Sequence, residues 1–150
     1  MRTSVIVANR TVGGAELLQA VRARLNDGAR AFHLVVPVAR HVSPALAVGA
    51  TAADMMPLSS VDDRDERQLA DEQLTFGIEW LTTLGATATG ELAGDADTAK
   101  AVADVVERVG ADEIIVSTLP STISRWLRQD LPTRIQRKVE VPVTVITGAA

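Results

Sequence analysis

Cysteine is absent from the 150-residue sequence. Disulfides, thiolate metal sites, iron–sulfur clusters and thiol nucleophiles are therefore excluded. This absence suits a reducing compartment, and we expect a cytoplasmic protein. Positive charge is also scarce, because 15 lysines and arginines stand against 19 aspartates and glutamates, for a formal net charge of −4. We therefore expect no nucleic acid as a partner.

Hydrophobic runs long enough to cross a membrane are missing too. The most apolar stretch, residues 31–58, is interrupted by arginine, histidine and proline, so we expect no membrane span. The first seven residues lead directly into a strand-like segment, and no signal peptide is predicted. With no internal repeat or linker, we expect one domain over residues 1–150.

Short apolar runs alternate with helical patterns along the chain. Runs typical of buried strands occupy residues 4–8, 32–38, 113–117 and 143–147, and a weaker strand occupies residues 87–92. Helical spacing of apolar residues connects them. This alternation predicts an α/β fold of three layers, an α/β/α sandwich with a parallel sheet between helices and right-handed crossovers.

The connection over residues 40–60 is long and rich in Ala, Pro, Gly and Ser, which is typical of a functional or mobile loop. We expect the next helix to begin between Ser60 and Asp63, where acidic residues favour the positive end of the helix dipole. This helix has a broad apolar face and a second one formed by Leu69, Phe76 and Trp80. The second face either covers a wide core or lies outside it, in contact with the long loop or a partner protein. Of these we expect contact with the long loop.

Four segments resemble the universal stress protein family, which belongs to a larger group of adenine-nucleotide-binding α/β domains. They are the opening strand Val5-Ile6-Val7-Ala8-Asn9, the turn Gly94-Asp95, the strand Asp112-Glu113-Ile114-Ile115-Val116, and the ending Val141-Pro142-Val143-Thr144-Val145-Ile146. The resemblance covers essentially the whole chain. It implies a five-stranded parallel sheet in the order 3-2-1-4-5. It also implies a homodimer built through the last strand, residues 141–147.

Nucleotide-binding members of that family carry a glycine motif after the fourth strand, and this sequence departs from it. Ser117 and Pro120 stand in place of the first two glycines, and Asp130 stands near the final Gly-Ser. Proline has no amide hydrogen to offer a phosphate, and a carboxylate at residue 130 would repel one. Asn9 stands where many relatives carry an aspartate that contacts the nucleoside. Binding of ATP or AMP would therefore require a modified site.

The loop after the fourth strand is the first candidate binding site. It offers guanidinium groups at Arg125 and Arg128, and hydroxyl groups at Ser117, Thr118, Ser121, Thr122 and Ser124. Arginines and hydroxyls can hold a carboxylate or phosphate without glycine amides. In the alternative interpretation, Trp126 fills the site and the two arginines pair with nearby carboxylates.

The turn after the first strand is the second candidate, because a turn that leads into a helix can hold an anion. It contains Asn9, Arg10, Thr11, Gly13 and Gly14. We assign Val38, at the end of the second strand, to the same site. The expected sheet order places this turn across a switch point from the first candidate. The alternative is a turn that only starts the helix.

Other polar residues suggest no further site. Arg134, Arg137 and Lys138 fit a solvated helix face, and the acidic run over residues 62–72 matches no calcium-binding loop. His33 and His41 lack metal-ligand spacing, and we expect His33 to be packed or hydrogen-bonded within its strand. No metal site, serine hydrolase motif or nucleophile–base pair is predicted.

Two functions remain open from the sequence. The first is a non-enzymatic, universal stress protein-like dimer that binds a modified nucleotide or another anion, or acts through protein contacts. The second is a small enzyme of the same superfamily that processes nucleotides or phosphate esters. The enzyme needs a general base and usually a metal ligand, and we therefore favour the binding protein.

Overall fold

The structure, a computed structural model, describes residues 2–8, 12–38, 52–94, 97–118 and 131–147, without the side chains of residues 52–66, 118 and 131. Its strands and helices alternate in the order β1 (Arg2–Val7), α1 (Ala15–Asn26), β2 (Arg30–Pro37), α2 (Ala52–Thr83), β3 (Thr87–Ala93), α3 (Thr98–Val109), β4 (Glu113–Thr118), α4 (Leu131–Lys138) and β5 (Val143–Thr147). The five strands form one sheet in the order β3-β2-β1-β4-β5, and every neighbouring pair is parallel. The predicted fold class and strand order are confirmed.

Two hydrophobic cores lie on opposite faces of the sheet. Alternate residues of each strand point to opposite faces. Val5, Val7 and Val35 pack with α3 and with Ile135 of α4, whereas Ile6 and Leu34 pack with α1 and α2 on the other face. The central strands therefore carry apolar residues on both faces, which explains why they appear as continuous apolar runs in the sequence.

Both ends of α3 carry residues that favour a helix terminus. The Asp97 carboxylate accepts a hydrogen bond from the backbone N–H of Lys100 at 3.1 Å, which caps the first turn. Gly110 ends the helix in the left-handed conformation, with φ of 66°.

The predicted start of α2 is wrong, because the helix begins at Ala52 and not between Ser60 and Asp63. The composition of residues 40–60, rich in Ala, Pro, Gly and Ser, predicts a loop that includes Pro57. A proline in that position removes one backbone hydrogen bond, but Ala and Met, which favour helices, dominate the preceding residues. The loop is correspondingly shorter, and residues 39–51 lie outside the described part of the chain.

The second apolar face of α2 divides between two environments. Trp80 packs partly buried against the core, whereas Leu69 and Phe76 are 48% and 49% exposed. Coverage by the long loop therefore stays a prediction.

Two glycines let α2 and β3 approach Leu34 of β2. A Cβ atom on Gly77 would overlap Leu34 Cδ2 and lie 3.0 Å from Cγ1 of Val12. A Cβ atom on Gly90 would lie 2.6 Å both from the Leu34 carbonyl oxygen and from Leu74 Cδ1. Leu34 is 1% exposed and thus occupies the space that these two missing side chains leave.

A charged network closes the amino edge of the sheet, opposite the candidate site. The Glu113 carboxylate accepts hydrogen bonds from Arg24 Nε (2.9 Å to each oxygen), from Arg30 Nη1 (2.6 Å) and from Ser4 Oγ (2.8 Å). The Arg30 side chain is only 7% exposed. The network joins α1, β1, β2 and β4, and the sequence analysis did not anticipate it.

Candidate small-molecule site at the carboxyl edge of the sheet

The candidate site lies where β1 and β4 end side by side. Val7 pairs with Val116, and beyond them the chain continues from Ala8 and from Ser117. The connection after β1 leads to α1 on one face of the sheet, whereas α4, which follows β4, packs on the other face. Such a switch point opens a crevice at the carboxyl ends of the strands, where α/β sheets bind ligands. The predicted pairing of the first and fourth strands is confirmed, while the adjacency of the two candidate loops stays a prediction.

Ser117 and Thr118 form the last part of β4. Ser117 pairs in register with Ile146 of β5 and is 1% exposed, so its side chain belongs to the floor of the crevice rather than to its rim. Thr118 pairs with Thr147 through its backbone.

The glycine turn at the start of α1 contributes backbone amides. Gly13 has φ of 83°, a conformation that side-chain-bearing residues rarely adopt. Gly14 is the N-cap, and no side chain caps the first turn of α1. The helix dipole and free amide groups favour an anion there, but Glu16 in the same turn already supplies a negative charge. The turn is thus a weaker phosphate site than its glycines alone indicate.

Phe76 of α2 packs directly over this turn. A Cβ atom on Gly13 would lie 2.9 Å from Cε1 of the Phe76 ring. Glycine is therefore required at residue 13 both for its backbone conformation and for the space that the ring occupies. The half-exposed ring forms one wall beside the turn and ties α2 to the start of α1.

Val38 directly follows β2, the strand that lies beside β1. Its backbone N–H donates a hydrogen bond to the Ala93 carbonyl at 3.1 Å, and its side chain packs against the core that α1 and α2 cover. This hydrogen bond lies one residue beyond β2, which ends at Pro37.

The remaining predicted ligand-binding residues lie outside the described part of the chain, and their assignment stays a prediction. They are Asn9, Arg10, Thr11, Ser121, Thr122, Ser124, Arg125 and Arg128.

A separate polar cluster lies across β2 and β3, on the face that α3 covers. His33 Nδ1 lies 2.7 Å from Thr89 Oγ1, and His33 Nε2 lies 3.0 Å from Glu91 Oε2. Arg108 of α3 donates from Nη2 to both Glu91 oxygens, at 2.6 and 2.7 Å. The expectation that His33 is hydrogen-bonded within its strand is confirmed. Its partners were missed, although Thr89 and Glu91 occur at the two-residue spacing of one strand face.

The electrostatics of this cluster keep Glu91 ionised. Burial raises the pKa of the Glu91 carboxyl, but hydrogen bonds and attraction from Arg108 and His33 outweigh it and hold the pKa below its ordinary value. The same contact raises the pKa of Arg108. The pair therefore carries full opposite charges at neutral pH.

The basic residues of α4 are exposed, as predicted for a solvated face. Arg134 Nη2 lies 3.2 Å from the Asp97 carboxylate, the cap of α3, and attraction to Arg134 adds to the Lys100 backbone hydrogen bond in lowering the pKa of Asp97. Within the described residues, no three His, Asp or Glu side chains are grouped so that they could hold a metal ion. The same part of the chain has no helix that is long and apolar enough to cross a membrane.

Comparison with known proteins relates the fold to a family. No family model matches the sequence. No curated protein sequence matches it either. Among solved structures, a protein from the universal stress protein family from Burkholderia pseudomallei has 17% sequence identity and a TM-score of 0.57, covering 96% of this chain and 94% of that one.

Two further structural neighbours contain nucleotides. A universal stress protein family protein from Arabidopsis thaliana with AMP bound has 18% identity and a TM-score of 0.55, over 100% of this chain and 94% of the other. A universal stress protein in complex with cAMP has 15% identity and a TM-score of 0.50, over 98% and 97% of the two chains. At these identities the similarity establishes the fold, and the chain has the fold of the universal stress proteins.

Proposed function

We propose that the protein is a non-enzymatic, universal stress protein-like regulatory dimer. It binds an adenine nucleotide, or another anionic small molecule, in the crevice between the carboxyl ends of β1 and β4. The observation that carries this proposal is the switch point itself. Two paired strands end there, and their connections lead to helices on opposite faces of the sheet.

The structural neighbours support this ligand class, because two of them contain AMP or cAMP. In this chain the glycine phosphate motif is replaced. Since Glu16 already supplies a negative charge to the first turn of α1, we assign the phosphate to the guanidinium groups of Arg125 and Arg128, which follow β4 in the sequence. The ring of Phe76 and the Gly13 turn border the crevice on the side of α1 and α2.

The enzymatic alternative receives less support. Phosphate-ester chemistry requires a general base at the ligand and usually a bound metal. Among the described residues at this edge, Glu16 could take up a proton, but no three His, Asp or Glu side chains of the described chain are grouped so that they could hold a metal ion.

Dimerisation is the second part of the proposal. β5 pairs only with β4 within the described chain, and Val145 is 46% exposed on it. An apolar sheet edge of this kind is a template for pairing with a second copy. The dimer would place two crevices in one assembly.

Calorimetric titration of nucleotide-free protein with ATP, AMP and cAMP, with and without magnesium, tests the ligand. We expect micromolar binding of at least one nucleotide. Changing Arg125 and Arg128 together to alanine should weaken it by about 100-fold or more, since a hydrogen bond to a charged group contributes about 1.5–3 kcal/mol. Arg137→Ala, an exposed arginine on α4, is the matched control and should bind normally.

Two results would reject the ligand proposal. One is the absence of heat with all three nucleotides, and the other is undiminished binding by the double arginine variant. Chromatography of the nucleotide after prolonged incubation separates binding from turnover, and the proposal requires that the nucleotide be recovered unchanged.

A further inference from the structure

We propose that Thr89 is a base-activated hydroxyl that accepts an acyl group from an activated carboxylic ester or thioester, with His33 as its general base. The site lies in the middle of β2 and β3, on the face covered by α3, and shares no residue with the crevice at the carboxyl edge. It is therefore independent of nucleotide binding.

The hydrogen bonds assign the roles of the two imidazole nitrogens. Glu91 is ionised and can only accept, so Nε2 of His33 carries a proton and donates it across 3.0 Å. In the neutral imidazole, Nδ1 then has a lone pair. The hydroxyl of Thr89, 2.7 Å away, donates its hydrogen to that lone pair. This is the arrangement that a nucleophile and its base require.

Glu91 and Arg108 hold the base in place. Arg108 contacts both oxygens of Glu91, at 2.6 and 2.7 Å, which leaves Oε2 aligned with His33. Once His33 has taken up a proton, the Glu91 carboxylate stabilises the resulting imidazolium. A carboxylate that orients a histidine, which in turn contacts a hydroxyl, is the general logic of an activated nucleophile.

The base is nearly buried and the nucleophile is exposed, as the reaction requires. The His33 side chain is 10% exposed, so the packed sheet fixes its ring, while Thr89 lies on an edge strand and is exposed. An acyl donor can therefore approach the hydroxyl from solvent without entering the core.

The transfer balances without an additional reactant. Thr89 Oγ1 bonds to the carbonyl carbon of the donor while its proton passes to His33 Nδ1. The bond from that carbon to the leaving oxygen or sulfur then breaks, and the leaving group takes the proton from Nδ1. The products are an acyl ester on Thr89 and a free alcohol or thiol, with His33 neutral again.

The full-length protein treated with p-nitrophenyl acetate tests the inference. Release of nitrophenolate gives the rate, and peptide mass mapping locates the acetyl group. We expect about one acetyl group per chain, on Thr89. His33→Gln should slow the transfer by about 100-fold or more, as expected for loss of a general base. Thr89→Val should abolish it, and Thr89→Ser should restore it.

Thr87 provides the matched control because it is exposed on the same face of the same strand, two residues away. Thr87→Val should acetylate at the wild-type rate. The location of the adduct in the wild-type protein decides the matter even if a His33 variant fails to fold. Acetylation spread over Lys100, Lys138 and the threonines alike, or no acetylation of Thr89, would overturn the proposal. So would a wild-type rate in folded His33→Gln.

Discussion

Replacement of Glu113 by glutamine should cost more stability than any other single-charge change at the amino edge of the sheet. Its carboxylate accepts hydrogen bonds from Ser4, Arg24 and Arg30. Glutamine keeps one acceptor oxygen but directs an NH₂ group toward two guanidinium groups, whose charges are then uncompensated within this network. Arg30 is hardly able to regain water, because its side chain is 7% exposed.

The magnitude follows from burial. Breaking a buried ion pair by removing one partner costs about 3–5 kcal/mol. We expect the lower end, about 3 kcal/mol, because Arg24 and Glu113 keep 20% and 15% of their side-chain surface exposed and water partly screens them. That loss is a large part of the stability of an ordinary domain, about 5–15 kcal/mol.

Urea unfolding followed by far-ultraviolet circular dichroism at neutral pH measures the effect. Glu107→Gln, the same change at an exposed residue of α3, should alter the free energy of unfolding by less than about 0.5 kcal/mol. Replacing both Arg30 and Glu113, with Arg30→Met and Glu113→Leu, should cost less than Glu113→Gln alone, since the 7% exposed Arg30 charge is removed and only Arg24, which is 20% exposed, loses its partner. A loss below about 1 kcal/mol for Glu113→Gln, with an unchanged urea slope, would show that water screens the network and that the reasoning is wrong.

Three other predictions concern packing, pH and assembly. Gly77→Ala should lower the free energy of unfolding, measured in urea, by about 1–2 kcal/mol. Overlap of the new methyl group with the buried Leu34 outweighs the gain of about 1 kcal/mol in helix propensity. A stabilised variant would contradict this. The lowered pKa of Glu91 contributes stability that is present above its ordinary pKa of 4.5 and is lost as pH falls through the lowered folded-state value. The stability difference between wild type and Glu91→Gln should therefore shrink upon acidification, and a constant difference would argue against the linkage. Val145→Lys should give monomers in sedimentation at concentrations where the wild type is dimeric, whereas a wild-type monomer would refute pairing through β5.

Structural features that depend on a few consecutive residues could be predicted from the sequence. The strands were predicted to within a few residues because each is a continuous apolar run, and the cap at Asp97 and the end at Gly110 are short-range signals. The start of α2 was misplaced because a composition rich in Ala, Pro, Gly and Ser does not mark where within residues 40–60 a helix begins.

The polar networks depend on strand register and could not be predicted in the same way. His33 meets Thr89, and Arg30 meets Glu113, at separations of 56 and 83 residues. The residue pattern of a single strand or helix cannot predict a contact between side chains so far apart in the sequence. For the candidate site, the strand order was sufficient to place the ends of β1 and β4 together, whereas the contacts of individual loop residues depend on side-chain positions that periodicity does not determine.

The contact among Leu34, Gly77 and Gly90 has a consequence for how this protein can vary. Leu34 occupies the space of two absent side chains. Which residues are tolerated at any one of the three positions therefore depends on the residues at the other two. A larger residue at 77 becomes acceptable only when the residue at 34 shrinks. The Leu34 backbone carbonyl, which cannot shrink, keeps glycine at 90 in either case. We expect a library randomised at these three positions, after selection for folded protein, to pair a larger side chain at residue 77 with a smaller one at residue 34. Glycine should be retained at residue 90 in every folded variant.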